Sequence, residues 1–147
     1  MWYEGGPVKM SKIAEERIKR GEGIKWQPSE DDEQAAVFEW VSLMEKQLPE
    51  LALLFHIANG GYRHPATAAR MKKLGVKAGV PDLFLPVARG GFHGLWIEMK
   101  RKKGGRVSDE QKAWIASLES EMYRCEVAHG AEEACDFLFK YLTEGEQ

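Results

Sequence analysis

Apolar residues recur along this chain in two rhythms, and each marks a different kind of element. After Ser29, the residues Ala36, Val37, Trp40, Val41 and Met44 return at three- and four-residue steps, the spacing of one buried helix stripe. Ser29 and Asp32 stand at capping-box spacing before that stripe, and Glu30, Asp31 and Glu33 put negative charge where the helix dipole favours it. Pro49 follows the end of the pattern. The run 51–57 is apolar throughout except for His56, which predicts a strand covered on both faces. Asn59-Gly60-Gly61 predicts a turn, and 65–74 a helix that Gly75 stops. Segment 82–87 predicts a strand, Arg89-Gly90-Gly91 a hairpin, and 94–100 the returning strand. Ser108 then caps a helix with Gln111 in the capping-box position and Trp114, Ile115 and Leu118 as its apolar stripe. A short strand over 123–128 and a helix over 131–142, with Ala134, Phe137, Leu138 and Tyr141 on one side, complete the chain.

The resulting order predicts a mixed α/β domain, a small sheet flanked by helices, over residues 29–147. Residues 1–28 read as an N-terminal extension. Gly5, Gly6, Gly21 and Gly23 interrupt it, Pro7 and Pro28 bracket it, and 11–20 offers only a short charged helix. Two fates are open to such a segment: disorder, or packing on a partner subunit through Trp2, Tyr3 and Trp26.

Composition narrows the classes. With 147 residues, 44% apolar and 30% charged, the chain has the length and make-up of one ordinary domain. No stretch approaches 18 uncharged apolar residues, so no membrane-spanning helix is expected, and the first residues lack the pattern of a secretory signal. Two cysteines, Cys125 and Cys135, make neither a disulfide scaffold nor a zinc site and read as reduced cytosolic thiols.

Net charge changes the picture once it is divided. The total of −2 suggests no polyanionic partner, yet residues 62–106 carry a balance of +9 between flanks of −4 and −7. Such segregation points to a polyanion-binding face on a chain that is acidic overall. Within the basic segment stand only two acids, Asp82 and Glu98.

Those two acids are separated by fifteen residues, and Lys100 follows Glu98 by two. The strand period sends Glu98 and Lys100 to one face, and a hairpin centred on 89–91 brings Asp82 opposite one of them. Two carboxylates and an ammonium at one spot suit a hard divalent cation and metal-assisted phosphodiester hydrolysis. The same pattern is also met as an ordinary cross-strand ion pair on a sheet face. Residue types alone leave both readings open.

Pro81-Asp82, Glu98-x-Lys100 and their strand context resemble the core motif of the PD-(D/E)-x-K nucleases. Taken with Asn59-Gly60-Gly61, Leu74-Gly75-Val76, Gly79-Val80-Pro81-Asp82-Leu83, Ile97-Glu98-Met99-Lys100 and Ser108-x-x-Gln111, the chain resembles the virus-type replication-repair nuclease (VRR-NUC) domain from about residue 33 to 142. The resemblance implies a restriction-endonuclease-like α/β core and a Mg²⁺- or Mn²⁺-dependent endonuclease on branched DNA. It further implies a homodimer, similar to Holliday-junction resolvases, working in the cytoplasm of a bacterial cell and encoded by either the cell or a phage. By position, Asp82, Glu98 and the backbone carbonyl of Met99 are the implied metal ligands, and Lys100 positions or helps deprotonate the attacking water. Glu33 matches an extra carboxylate of the superfamily, or else it merely complements the first-turn dipole. Gln111 either approaches the scissile phosphate or the catalytic Lys, or is spent on the capping box. His56 is a phosphate contact or a buried, hydrogen-bonded histidine. Arg63, Arg70, Lys72, Lys73, Lys77, Arg101, Lys102, Lys103 and Arg106 supply phosphate contacts, which give affinity and salt dependence without reading sequence.

Overall fold

The computed structural model describes residues 27–58 and 64–144. The expected 11–20 helix, the Asn59-Gly60-Gly61 turn and Arg63 lie outside the described residues. Within them, helix α1 (Glu30–Met44) is followed by a 3₁₀ turn (Pro49–Leu53), β1 (Phe55–His56), α2 (Pro65–Lys73), β2 (Leu83–Leu85) and β3 (Leu95–Lys100). Helix α3 (Asp109–Ser120), β4 (Arg124–His129) and α4 (Ala131–Glu144) complete the order.

The strands form one sheet in the order β1-β2-β3-β4. β1 with β2 and β2 with β3 are antiparallel, and β3 with β4 is parallel, which makes the sheet mixed. The parallel pair requires a crossover, and α3 supplies it. Between β2 and β3 the chain reverses at Arg89 and Phe92, which bridge, with Gly90 and Gly91 at φ 56° and 83°. Two successive positive φ values are the signature of a primed turn, whose twist matches the flanking strands.

Alternation along β3 sorts its side chains. Leu95, Ile97 and Met99 join Leu83 and Leu85 in the core, together with Val37 and Val41 of α1 and Ala134, Leu138 and Leu142 of α4. Tyr141 adds a 2.6 Å hydrogen bond to the Val87 carbonyl, which fixes α4 over the end of β2. On the opposite face Phe84 stacks on Trp96 with ring centres 4.2 Å apart, and Phe55 and Tyr123 meet Phe84 edge-on. Helix α3 covers the β4 side of that face, where Cys125 Sγ approaches the Ile115 carbonyl.

Both expected capping boxes form in full. Ser29 and Asp32 satisfy each other's amides at the start of α1, and Ser108 and Gln111 do so at the start of α3. Segment 51–57 departs from expectation. Instead of a doubly covered strand it makes a 3₁₀ turn and only two strand residues, with Leu53 53% and Phe55 46% exposed. Pro49, preset to helical φ, begins that turn, so the apolar run turns the chain toward the sheet before any pairing starts. β2 is likewise shorter than 82–87, because Pro86 lacks the N–H a longer ladder would use.

Candidate active site

The last rung of the β2–β3 ladder pairs Leu83 with Ile97, so the next residues, Asp82 and Glu98, face one another. Beyond that rung the Asp82 side chain replaces a strand partner, and its Oδ2 accepts the Met99 N–H at 2.7 Å. In an extended strand a residue's N–H and C=O point to the same side, so the Met99 carbonyl also faces Asp82. His56 stands across the rung, its Nδ1 3.0 Å from the Asp82 backbone carbonyl. Since a carbonyl only accepts, Nδ1 carries the proton there and Nε2 is the open end of the ring. The ring is exposed, unlike the buried histidine that an apolar strand suggests.

Glu98 and Lys100 are 2% and 6% exposed although both are charged residue types. Their burial is compensated on one side only. Glu98 Oε1 lies 3.1 Å from Lys100 Nζ and accepts the Gln111 side-chain N–H at 2.6 Å. Glu98 Oε2 is buried with no hydrogen-bond partner. Burial, seconded by the charge of Asp82, pushes the Glu98 carboxyl up to about 7 against the opposing pull of Lys100.

An unpartnered buried carboxylate oxygen is costly unless something else uses it. A divalent cation fits: Asp82, Glu98 and the Met99 carbonyl form an all-oxygen donor set of the kind that suits Mg²⁺ or Mn²⁺. Among the described residues no group of three His, Cys, Asp or Glu side chains is close enough to hold a metal unaided. Two carboxylates and one carbonyl therefore leave several positions for water and phosphate oxygens, as is usual for Mg²⁺. The carboxylates open onto a cleft of about 430 Å³ whose wall includes Glu30, Asp31 and Gln34 of α1. A second cavity, about 420 Å³ at the hairpin end, is lined by Arg89, Arg124 and Lys140. Those three cations are already paired with Glu50, Glu126 and Asp136.

Glu33 is not part of the cleft wall. Its Oε2 accepts the Ala131 N–H at 2.7 Å, at the first residue of α4. The reason lies in spacing: Glu33, Val37 and Val41 form one buried row at four-residue steps, and that row faces the core. Glu30 and Gln34, also four apart, lie on the neighbouring row that faces the cleft. Extending the apolar stripe back by one turn reveals this.

Gln111 forms the expected capping box with one end of its side-chain amide, and the other end reaches Glu98. Its Oε1 accepts the Ser108 N–H at 2.8 Å while its Nε2 donates to Glu98. Gly79, at φ 88°, packs so closely on α3 that a Cβ there would lie 2.8 Å from the Glu110 backbone. That contact seats the 78–80 wall of the cleft against the helix carrying Gln111.

Arg70, Lys72 and Lys73 are exposed in the last turn of α2, and Lys77 is exposed just before the cleft wall at Ala78. Arg101, Lys102, Lys103 and Arg106 are exposed in the segment that follows Lys100 directly. None of these cations is part of the cleft wall; they flank, along the chain, the wall residues Ala78 and Met99.

No curated protein matches the chain. A solved structure described as a VRR_NUC domain protein is similar, with 31% identity over 82% of this chain and 93% of that one, at a TM-score of 0.68. The VRR-NUC domain family matches residues 13–132, a span that begins inside the N-terminal extension. The chain belongs to the VRR-NUC domain family, which carries a nuclease-type function with DNA as its substrate.

Proposed function

We propose that this protein is a metal-dependent, structure-selective DNA endonuclease of the Holliday-junction resolvase kind, acting as a homodimer in the cytoplasm. The observation that carries the reading is the buried Glu98 carboxylate, with Oε2 free beside Asp82 and Oε1 held by Lys100 and Gln111. A Mg²⁺ or Mn²⁺ ion held by Asp82, Glu98 and the Met99 carbonyl would neutralise phosphate charge and acidify a water. Lys100 orients that water and offsets the negative charge that grows on the phosphate. Water oxygen bonds to phosphorus as the bond to the leaving sugar oxygen breaks; the attacking water gives up one proton to solvent, and solvent supplies one to the leaving oxygen. Asp82 keeps the Met99 strand end in register with the site, and Gln111 keeps Glu98 turned.

Arg70, Lys72, Lys73, Lys77, Arg101, Lys102, Lys103 and Arg106 bind backbone phosphates on either side of the cut. Contacts of this kind, to phosphate and not to base edges, position DNA without reading its sequence, which favours recognition of DNA shape. A four-way junction has two-fold character, and an isologous dimer would present two equivalent clefts to it.

The test is cleavage of labelled four-way junction, flap and plain duplex in Mg²⁺, Mn²⁺ or EDTA, alongside Asp82→Asn and Lys100→Ala. We expect metal-dependent cutting, strongest on the junction and lost in both variants. Cutting retained by both variants would remove the site assignment. Preference for flap or duplex would replace the resolvase reading, and binding without cutting would leave a DNA-binding module. Sedimentation of a monomer at working concentration would remove the dimer.

A further inference from the structure

Ser108 touches no carboxylate, yet the orientation of Glu98 traces back to it. A side-chain amide has one accepting end and one donating end, and it cannot turn over without exchanging them. At Gln111 the accepting end is committed, because Oε1 takes the Ser108 N–H at 2.8 Å. Ser108 Oγ in turn accepts the Gln111 backbone N–H at 3.2 Å, which pins the first turn of α3 from the other side. The donating end is left with one direction, toward Glu98 Oε1 at 2.6 Å. A reversed amide would set oxygen against carboxylate and NH₂ against N–H, two repulsive contacts in place of two bonds.

Lys100 occupies the same Oε1 at 3.1 Å, and the rotation of the Glu98 carboxylate is thereby settled. Oε1 is saturated from within the protein, and Oε2 is the buried oxygen with no partner. We propose that the α3 capping box is a positioning device for the metal site: Ser108, acting through Gln111, presents Glu98 Oε2 alone to the cation. Ligation by Glu98 is then through one oxygen, and Ser108 is a positioning residue. This rests on the metal-nuclease reading above.

The test is Mn²⁺ binding to the full chain without DNA, by calorimetry or by loss of the free-ion paramagnetic signal. Gln111→Ala is expected to weaken Mn²⁺ binding about tenfold, and Ser108→Ala, which keeps the backbone N–H to Oε1 but loses the hydroxyl that pins the first turn of α3, by a smaller factor of roughly three. Because one acts through the other, the double variant is expected to bind no more weakly than Gln111→Ala. Ser108→Thr keeps the capping hydroxyl and should restore wild-type affinity to within about twofold. Ala116→Gly, exposed in the same helix and comparably destabilising, should leave affinity unchanged.

Wild-type Mn²⁺ affinity in Ser108→Ala, multiplying effects in the double variant, or equal loss in Ala116→Gly would each overturn the inference while the metal site stands. A wild-type chain that binds no Mn²⁺ would overturn the metal reading and this inference with it.

Discussion

Lys100 Nζ lies 3.1 Å from Glu98 Oε1, but the ion pair does not return the carboxyl to its ordinary range. Burial and the facing Asp82 outweigh it and push Glu98 up to about 7. In the unfolded chain the same group titrates near 4.5. Between those values the folded state binds the extra proton, so its stabilisation is complete below about 4.5 and is lost as pH rises through about 7. In EDTA, thermal unfolding should therefore show stability falling from pH 5 to pH 8, by at most about 3 kcal/mol. Glu98→Gln should flatten that slope, and a slope unchanged in Glu98→Gln would assign it elsewhere.

Metal should reverse the trend. A cation binds the ionised carboxylate, so its stabilising effect should grow with pH. Melting with and without Mn²⁺ at pH 6 and pH 8 should show the larger gain at pH 8; equal gains would place the ion away from Glu98.

Glu33 separates two roles cleanly. Its carboxylate holds the Ala131 amide at the start of α4, so Glu33→Ala should cost about 1–2 kcal/mol by urea unfolding. Mn²⁺ affinity should stay at the wild-type value. Loss of Mn²⁺ binding in a folded Glu33→Ala protein would return this residue to the metal site.

Gly79→Ala tests the seat of the cleft wall. The new Cβ would need left-handed backbone and would sit 2.8 Å from the Glu110 backbone, so the loop must move away from α3. A loss of about 1–3 kcal/mol is expected, together with a fall in cleavage, because Val80 and Asp82 move with the loop. Wild-type stability and cleavage in this variant would show that the contact is dispensable.

The basic segments predict a salt signature. Replacing Lys72 and Lys73 together by Ala should weaken DNA binding on every sequence alike and reduce the slope of log K against log salt by about 2. An unchanged slope would take α2 off the DNA path.

The parts of this fold legible in the sequence are those fixed by local chemistry. Both capping boxes can be read because a hydroxyl and a carboxylate or amide three residues apart need nothing from elsewhere in the chain. The Asp82, Glu98 and Lys100 constellation can be read because strand alternation and a hairpin determine which residues meet. Segment 51–57 cannot, since Leu51 to Leu54 suit a buried strand and a tertiary turn equally, and only packing around Pro49 decides. The place of Glu33 is masked by its charge, which suggests the cleft, while its spacing from Val37 and Val41 points to the core. What no local rule supplies is the pairing of Gln111 with Glu98, thirteen residues apart in the chain and joined by the crossover.

Glu98 places opposing pressures on a single position. For the stability of the fold alone, an uncharged side chain there would be better tolerated than a buried carboxylate with an unanswered oxygen. Drift, left to itself, should erase this acid early, well before it touches neighbours such as Leu83 or Ile97 that are wholly buried in the core. Copies of the domain that have stopped cutting DNA should therefore be recognisable by an altered position 98 in an otherwise intact sheet.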